Sequence, residues 1–370
     1  MSMAARFAAI FLACVALAAP VAAQAPQPAG RADWQKIVDA ANAEGSLILY
    51  SQPNQDARDF ILREFPKAYP KIAISLSVLD TPDFVGRIRT ERSAGKYLWD
   101  MAFAGPPAGL ILSHDGVLDP VLPEIVDPET KNPDLWGGWH DAFLDNAGAY
   151  VFGAQRFIAG PWYDALKIPP EKVAAQGLKL LLDPSLKGKT AWHDPVLPGS
   201  GTSYAYLLRV KLGDDAFKRL ILDQGVTFVQ QQFQVVEAVA RGTAWIGIGP
   251  PVRSLMGPYI KAGLKADIHS FGTSPDTNLE AASAALFVFK DRPHPNATRV
   301  FINWLLGKDA EYGLAKATGQ ASRRRDVPNT ALPDETPIPG ATYVQPQRED
   351  VAPAVRETVQ FINELRKSAK

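Results

Sequence analysis

The stretch from His193 to Gly213 brings together several residues that could do chemistry. It reads HDPVLPGSGTSYAYLLRVKLG, so a turn rich in glycine and hydroxyl side chains precedes an apolar helical pattern. A helix N-terminus leaves backbone amides unpaired and carries partial positive charge, which suits phosphate, phosphonate or carboxylate groups. Gly201 lets the backbone approach such a group, and Thr202 and Ser203 add hydroxyl donors. The other interpretation is an ordinary N-cap, in which Thr202 or Ser203 closes its own helix.

His193 and Asp194 are two of the residue types of a hydrolytic triad, but nothing else in the chain supports that reaction. The sequence has no G-x-S-x-G nucleophile elbow. Adjacent residues on a strand point to opposite faces, so these two side chains cannot easily share one proton. The five histidines, at positions 114, 140, 193, 269 and 294, show no metal-ligand spacing. We therefore expect no catalytic residue, no metal site and no cofactor; Asp194 is expected to cap the turn, and His193 to reach the ligand.

Three further side chains could contact a ligand. Gln231 is the middle one of three successive glutamines in VTFVQQQFQ, which reads as a strand. A buried amide needs partners and a ligand would supply them, although a strand end in water explains the run equally well. Arg156 and Arg253 offer guanidinium groups that match carboxylate or phosphate geometry, with surface ion pairs as the alternative. The arginine run at 323–325 reads as a solvated loop that could border the same ligand.

The scaffold for these residues begins as strands alternating with amphipathic helices. The segment from Trp34 to Tyr50 reads as helix, turn and strand, and two further helix–strand pairs follow as far as Ala104. Such alternation predicts a largely parallel sheet covered by helices on both faces. Ligands of such sheets bind beyond the carboxyl ends of the strands, so Tyr50, Ser51 and Gly105 are expected at the ligand.

A second α/β unit follows the strand expected in GAYVFGAQRFIAGPWYD. Its strands are expected in LKGKTAWHDP, VTFVQQQFQ and TAWIGIGPP, and a later strand ending at Lys290 precedes a helix from Pro295 to Leu306. A proline-rich connection and an amphipathic helix close the chain. Together with the length of 370 residues, this succession predicts two domains.

The N-terminus reads as an export signal. Arg6 precedes the apolar run FAAIFLACVALAAPV, which is too short to span a bilayer, and small residues at 21–23 predict cleavage after Ala23. The one cysteine, Cys14, lies inside this run; lipid attachment there is the alternative, in a poor sequence context. Without Arg6 the chain has 38 basic and 39 acidic residues. This balance predicts no general affinity for nucleic acid or acidic membranes.

Five segments in register resemble the solute-binding proteins of bacterial ABC importers. They are WQKIVDAANAEGSLILYS, LLDPSLKGKTAWHDP, VARGTAWIGIG, RPHPNATRVFINWLLGKDAEYGLAKATG and RRRDVPN, spread over most of residues 31 to 330. The branch that they resemble holds binders of ferric iron, thiamine, aminoethylphosphonate and sugar phosphates. Its iron-binding members place adjacent tyrosines where this chain has Pro250 to Arg253, so the resemblance implies no iron site of that kind.

The resemblance implies a type II α/β fold of two lobes, each a mixed, mostly parallel sheet flanked by helices, joined by a hinge that closes on the ligand. Lobe 1 is expected to comprise residues 31–150 and 284–322, and lobe 2 residues 151–283 and 323–370. The implied protein is a monomeric periplasmic receptor that binds a small anionic organic solute and delivers it to an inner-membrane ABC permease. The alternatives are a ferric-iron or other metal–anion carrier, an exported hydrolase, and a sensory partner of a membrane receptor.

Overall fold

The computed structural model describes residues 31–51, 54–79, 81–197 and 199–368. The expected signal peptide, residues 1–23 with cleavage after Ala23, lies outside them, as does Cys14. The strands of the described chain are β1 (Ser46–Ser51), β2 (Ala73–Val78), β3 (Met101–Ala104), β4 (Leu118–Asp119), β5 (Phe152–Ala159), β6 (Trp162–Asp164), β7 (Thr190–His193), β8 (Thr227–Val229), β9 (Ile246–Ile248), β10 (Ile268–Ser270), β11 (Leu279–Phe289) and β12 (Ala321–Ser322).

The α-helices of the described chain alternate with these strands. They are α1 (Arg31–Glu44), α2 (Gln55–Ala68), α3 (Thr81–Ser93), α4 (Pro106–His114), α5 (Trp139–Ala142), α6 (Pro170–Gln176), α7 (Ser200–Leu212), α8 (Asp214–Leu222), α9 (Gln232–Ala240), α10 (Val252–Leu255), α11 (Gly257–Lys261), α12 (Pro295–Leu305), α13 (Lys308–Thr318) and α14 (Ala352–Ser368).

The strands form two mixed sheets, as expected for an α/β protein. The first has the order β12-β5-β11-β3-β1-β2, with β4 added beside β11. Its β1, β2 and β3 are parallel, whereas β11 runs antiparallel to both β3 and β5. The second sheet has the order β10-β6-β9-β7-β8, in which β7 is parallel to β8 and β9. Parallel neighbours end on the same edge of each sheet, which is where loops can gather around a ligand.

Two long strands connect the two hydrophobic cores. Ala154 on β5 and Ala284 on β11 belong to the core of the first sheet, whereas Ala159 and Leu279 on the same strands belong to the main core of the second. Leu279 also pairs with Val344, so the C-terminal segment runs beside them. The expected lobe boundaries at residues 150 and 283 fall beside β5 and within β11; the division into lobes stays a proposal.

Helix α13 carries a fully buried carboxyl group, that of Glu311. It accepts a hydrogen bond from the Ser322 hydroxyl at 2.7 Å, while its Oε1 has no hydrogen-bond partner among the described residues. Burial raises the pKa of Glu311 to about 8, against the opposing effects of Ser322 and Arg324. The group therefore keeps its proton in the folded protein at pH values where the unfolded chain has released it.

Stability should consequently fall as the pH rises between about 4.5, where Glu311 ionises in the unfolded chain, and 8. In that interval only the folded state holds the proton, so each pH unit lowers the free energy of unfolding by about 1 kcal/mol. We expect Glu311→Gln to gain about 3 kcal/mol relative to the unaltered protein between pH 5 and pH 8. Urea unfolding across this range measures it, with Asp309→Asn on the exposed side of α13 as the control. Parallel stability curves for Glu311→Gln and the unaltered protein would contradict the assignment.

Candidate functional site

The loops that follow β7, β8 and β9 gather at one edge of the second sheet because these strands are mutually parallel. His193 ends β7, and helix α7 begins seven residues later at Ser200. Gly249 follows β9 directly. This group of residues is hereafter called the α7 turn, and it comprises His193, Gly199 to Thr202 and Gly249.

Glycines allow the backbone of the α7 turn to pack directly on His193. A Cβ atom on Gly201 would lie 1.9 Å from the His193 carbonyl oxygen, which leaves no room for any side chain. Gly249 has φ +120°, a conformation that favours glycine, and a Cβ there would lie 2.9 Å from His193 Cβ and 3.3 Å from Ser200 Oγ. The turn is therefore built around the buried His193.

Some donors of the α7 turn are used within the protein. The Gly201 amide donates to His193 Nδ1 at 3.3 Å, so His193 holds the turn in place. The Thr202 hydroxyl lies 3.0 Å from the Pro195 carbonyl oxygen and 2.9 Å from that of Leu197, and it closes the loop between β7 and α7. The N-cap interpretation of Thr202 or Ser203 is wrong, because Gly199 is the N-cap of α7 and no side chain caps this helix. The Thr202 hydroxyl is instead used by carbonyls of the preceding loop.

Other donors of the α7 turn have no partner in the described part of the chain. The Ser200 hydroxyl oxygen is inaccessible to solvent and makes no hydrogen bond there. The backbone amides of Ser200 and Thr202 find no acceptor there either. A buried polar atom without a partner is costly, and native proteins rarely keep one. One hydroxyl and two amides at the positive end of a helix therefore have no acceptor within the described part of the chain.

The glutamines after β8 lie differently from the expectation. The strand ends at Val229, and Gln231 is the N-cap of α9, where its amide and the Gln234 side chain form a capping box. The expected strand through Gln231 is wrong because this local cap competes successfully with sheet pairing. The neighbouring Gln232 is the one that approaches the α7 turn: its Nε2 would lie 3.8 Å from a Cβ on Gly199.

Arg253 was expected at the ligand, but its guanidinium binds partners within the protein. It lies in α10 and forms ion pairs with Asp334 and Glu335, and its Nε donates to the Ile268 carbonyl. The guanidinium also stands 5.3 Å from the centroid of the Trp162 ring. Burial works to raise the pKa of Asp334, but the hydrogen bonds and charge of Arg253, together with the hydrogen bond from the Ser270 amide, outweigh burial and hold that pKa below its usual range. Arg253 therefore serves this junction in the protein's own structure.

Arg156 lies on β5 and shares the buried carboxylate of Glu280 with a second arginine. Its Nη1 is 3.2 Å from Glu280 Oε2, and Arg323 Nη2 is 2.7 Å from Oε1. Arg323 also donates to the Asp141 carbonyl. Burial lowers the pKa of Arg323, while Glu280 opposes that change. Two guanidinium groups thus depend on one carboxylate, at a place that shares no residue with the α7 turn.

The first sheet contributes fewer side chains to the candidate site than the sequence predicted. The Tyr50 ring stacks on Phe84 with centroids 3.5 Å apart, and its hydroxyl donates to the Leu79 carbonyl. Strand alternation turns this side chain into the core between β1 and α3, away from the ligand edge. Ser51, the last residue of β1, is buried at the strand end.

Gly105 is the N-cap of α4, at the end of β3. Pro106 and Pro107 open that helix. Proline has no amide hydrogen, so the first turn of α4 offers fewer donors to an anion than the α7 turn does. Ser203 lies in the first turn of α7, partly exposed.

Sequence reasoning overlooked Ser200, Gly249 and Glu280, and within the run of three glutamines it selected Gln231, whereas Gln232 is the one near the α7 turn. Ser200 stands inside the GSGTS motif, and its position between two glycines was the available signal. Glu280 is enclosed in an alanine-rich apolar strand, where a carboxylate signals a buried ion pair. No sequence pattern marks Gly249 or distinguishes Gln232 from the other two glutamines of its run, because their importance comes from loops that meet only in the fold.

Within the described ranges, no three His, Cys, Asp or Glu residues lie in a group that could hold a metal ion. No helix in those ranges has the length and apolar character needed to cross a membrane.

The chain is similar to known families and solved structures of binding proteins. A model of bacterial extracellular solute-binding proteins matches residues 61–338. No curated protein matches the chain. The substrate-binding protein of an ABC transporter from Agrobacterium tumefaciens is 18% identical, with a TM-score of 0.60 over 94% of this chain and 99% of that one.

Two further solved structures share the architecture. Iron-bound HitA from Pseudomonas aeruginosa is 17% identical, with a TM-score of 0.63 over 86% of this chain and 99% of that one. AfuA from Actinobacillus pleuropneumoniae, with exogenous fructose-6-phosphate bound, is 15% identical, with a TM-score of 0.54 over 86% and 99%. These likenesses confirm the expected two-lobed type II α/β fold.

Proposed function

Because this chain belongs to the family of bacterial extracellular solute-binding proteins, we propose that it captures a small anionic organic solute at the α7 turn. The family is one of extracellular solute-binding proteins and not of enzymes, and together with the likeness to the substrate-binding protein of an ABC transporter it supports a periplasmic solute receptor of such a transporter. The observation that carries the finer proposal is the buried Ser200 hydroxyl, which has no partner within the described chain and stands beside two unpaired amides.

An oxyanion matches this set of groups better than a neutral or cationic solute does. All three available groups are donors, and the partial positive charge of the α7 N-terminus favours negative charge. The space where side chains of Gly199, Gly201 and Gly249 would stand is filled by His193, so these glycines hold the donors of the turn in a fixed arrangement around that residue. AfuA, with fructose-6-phosphate bound, has the same fold, which supports testing phosphate esters alongside carboxylates and phosphonates.

Capture is proposed to proceed by closure of the two lobes. The ends of β1 and β3, at Ser51 and Gly105, would meet the solute from the first sheet, and Gln232 would join the α7 turn on the other side. A solute favours the closed form only through the contacts that it gains there. Micromolar affinity then requires roughly 8 kcal/mol of contact free energy beyond the cost of closure.

Metal carriage is the alternative that the same fold raises, since HitA is iron-bound. Here Pro250 and Pro251 follow β9, and proline side chains offer no donor atom to a metal. Adding ferric iron to the purified chain tests this alternative by visible absorbance. A strong new absorption band would show that the chain binds iron. The proposed ligand would then be a metal and not an organic anion.

A thermal-shift screen of carboxylates, phosphonates, sugar phosphates and amines identifies the solute, and Ser200→Ala then tests its position. A solute at one hundred times its dissociation constant should add about 2.7 kcal/mol to the free energy of unfolding. Ser200→Ala should weaken binding about tenfold, because a hydrogen bond to a charged group is lost. It should leave the ligand-free protein as stable as before or slightly more so, since Ser200 Oγ has no partner there.

The matched control is Thr202→Val, which removes a hydroxyl that does bond within the turn. It should destabilise the ligand-free protein by about 1 kcal/mol. If Ser200→Ala lowered stability and left affinity unchanged, the hydroxyl would be structural. If only amines stabilised the protein, the anionic class would be wrong.

Export and assembly are part of the proposal. Cleavage after Ala23 would leave Gln24 as the first residue, which mass spectrometry of the exported chain tests. We also propose a monomer without nucleic-acid affinity, with the lobes divided as residues 31–150 plus 284–322 and 151–283 plus 323–370. Light scattering tests the monomer, and limited proteolysis tests the division into lobes.

A further inference from the structure

A second pocket, of about 480 Å³, lies against the β12 edge of the first sheet. Its walls come from Trp136 and Gly137, from β5 and β11, and from the segments 321–329 and 337–345. It shares no lining residue with the α7 turn. The pocket is therefore a different place from the one proposed for solute capture.

The pocket carries an excess of positive charge. Four arginines and two carboxylates line it: Arg156, Arg323, Arg324, Arg325, Asp141 and Glu280. Arg324 is neutralised from outside the pocket by Glu129 and Asp326. The other three arginines face only Glu280, which is buried and already shared by two of them, and the half-exposed Asp141.

Two of these arginines have donors to spare. Arg156 reaches Glu280 with one terminal nitrogen at 3.2 Å, and no described residue accepts from its Nη2 or Nε. Arg325 is exposed, and in the described chain its guanidinium has no ion pair or hydrogen bond. That guanidinium packs against Gly137, at φ +85°, where a Cβ atom would lie 3.0 Å from its Nη2. A side chain at 137 would displace it.

We propose that this pocket is a second binding site, for a small oxyanion such as a di- or tricarboxylate or a phosphate. Carboxylates and phosphates share the paired oxygens that guanidinium groups bind in two-point fashion. Arg156 and Arg325 supply the free donors, and the buried Arg323 supplies charge behind them. The volume accepts an anion of citrate size as well as inorganic phosphate.

The position of the pocket gives the bound anion a structural consequence. Arg156 lies on β5, one of the strands that enter both cores, while Arg325 lies on the segment after β12. Residues 337–343 form the facing wall and lead into Val344, which pairs with Leu279 on β11. An anion held by both arginines therefore ties this C-terminal segment to the connecting strands. Amide hydrogen exchange in 337–343 should slow when the anion binds.

Isothermal titration of the purified chain with citrate and, separately, with inorganic phosphate at low ionic strength tests the proposal. Arg325→Glu should weaken binding at least tenfold, and the fold should survive because this side chain has no partner within the described chain. Arg219→Glu is the matched control, because Arg219 is exposed on α8, away from the pocket. The affinity of this variant for either anion should stay within twofold of that of the unaltered protein. Ser200→Ala should leave this binding unchanged.

The outcomes of these titrations separate a second binding site from the alternatives. Saturable binding of citrate or phosphate that Arg325→Glu weakens, and that Arg219→Glu and Ser200→Ala leave unchanged, supports the site and identifies which oxyanion it prefers. Absence of saturable heat with both anions up to millimolar concentration overturns it. Equal weakening by Arg325→Glu and Arg219→Glu would show a diffuse charge effect, and loss of binding in Ser200→Ala would move the anion to the α7 turn. Either result removes the second site while leaving the proposed receptor function standing.

Discussion

Gly201→Ala is expected to lower the free energy of unfolding by about 3 kcal/mol and to abolish solute binding at the α7 turn. The new Cβ would lie 1.9 Å from the His193 carbonyl oxygen, which is a backbone atom and cannot rotate away. His193 ends β7, and β7 is fixed between β8 and β9. Relief therefore requires α7 to move off the sheet, and the amides of Ser200 and Thr202 move with it. Urea unfolding and the thermal-shift assay measure the two losses.

Gly86→Ala is the matched control for this substitution. Gly86 lies inside α3, is exposed, and a Cβ there would meet no atom within 4 Å. Alanine is the better helix former, so this variant should gain about 0.5 to 1 kcal/mol. Similar behaviour of the two variants would show that the contact at His193 is relieved by small adjustments, and that the α7 turn is not tightly constrained.

Glu280→Gln is expected to cost about 3 to 5 kcal/mol of stability. The substitution keeps the size of the side chain but removes the carboxylate shared by Arg156 and Arg323. Arg323 is almost completely buried, so water cannot replace the lost partner. The destabilisation would fall on β5 and β11, the two strands that connect the cores.

Two comparisons make this prediction specific. Glu357→Gln removes the exposed carboxylate that pairs with Arg209 at 3.1 Å, and it should cost less than about 1 kcal/mol. Adding Arg323→Met to Glu280→Gln should recover part of the loss, because the unpaired buried charge is then removed. A cost for Glu280→Gln no larger than that for Glu357→Gln would mean that the buried pair contributes little. Phosphate should stabilise Glu280→Gln more than the unaltered protein if the second pocket accepts an oxyanion.

Much of the scaffold could be predicted because its signals are local. Helix α12 was expected from Pro295 to Leu306 and spans Pro295–Leu305, since proline at its start and the apolar stripe fix both its limits and its buried face. The strand predicted in VTFVQQQFQ exists as β8, but its continuation through the glutamines was wrong for an equally local reason, because a capping box begins a helix there. The short β10, α10 and α11 gave no usable periodicity, because three to five residues do not complete a pattern.

The candidate site was harder to predict because a residue type does not show what else competes for it. Arg253 and Arg156 read alike in the sequence. Arg253 is occupied by carboxylates about eighty residues away, at Asp334 and Glu335. Arg156 retains free donors because its one carboxylate also serves Arg323. Tyr50 was expected at the ligand from its place at a strand end, but side-chain alternation turned it into the core.

The sequence by itself determined the α/β class, the order of most strands and helices, the family, and the glycine-rich turn ahead of α7. These depend on spacing and composition within short segments, where hydrophobic period and turn chemistry act directly. Only the tertiary structure decided which polar groups are free: the Ser200 hydroxyl and Arg325 have no partner in the described chain, while Thr202 and Arg253 have theirs. The physical reason is that a hydrogen bond is satisfied by whichever group the fold brings within about 3 Å, however distant that group is in the sequence.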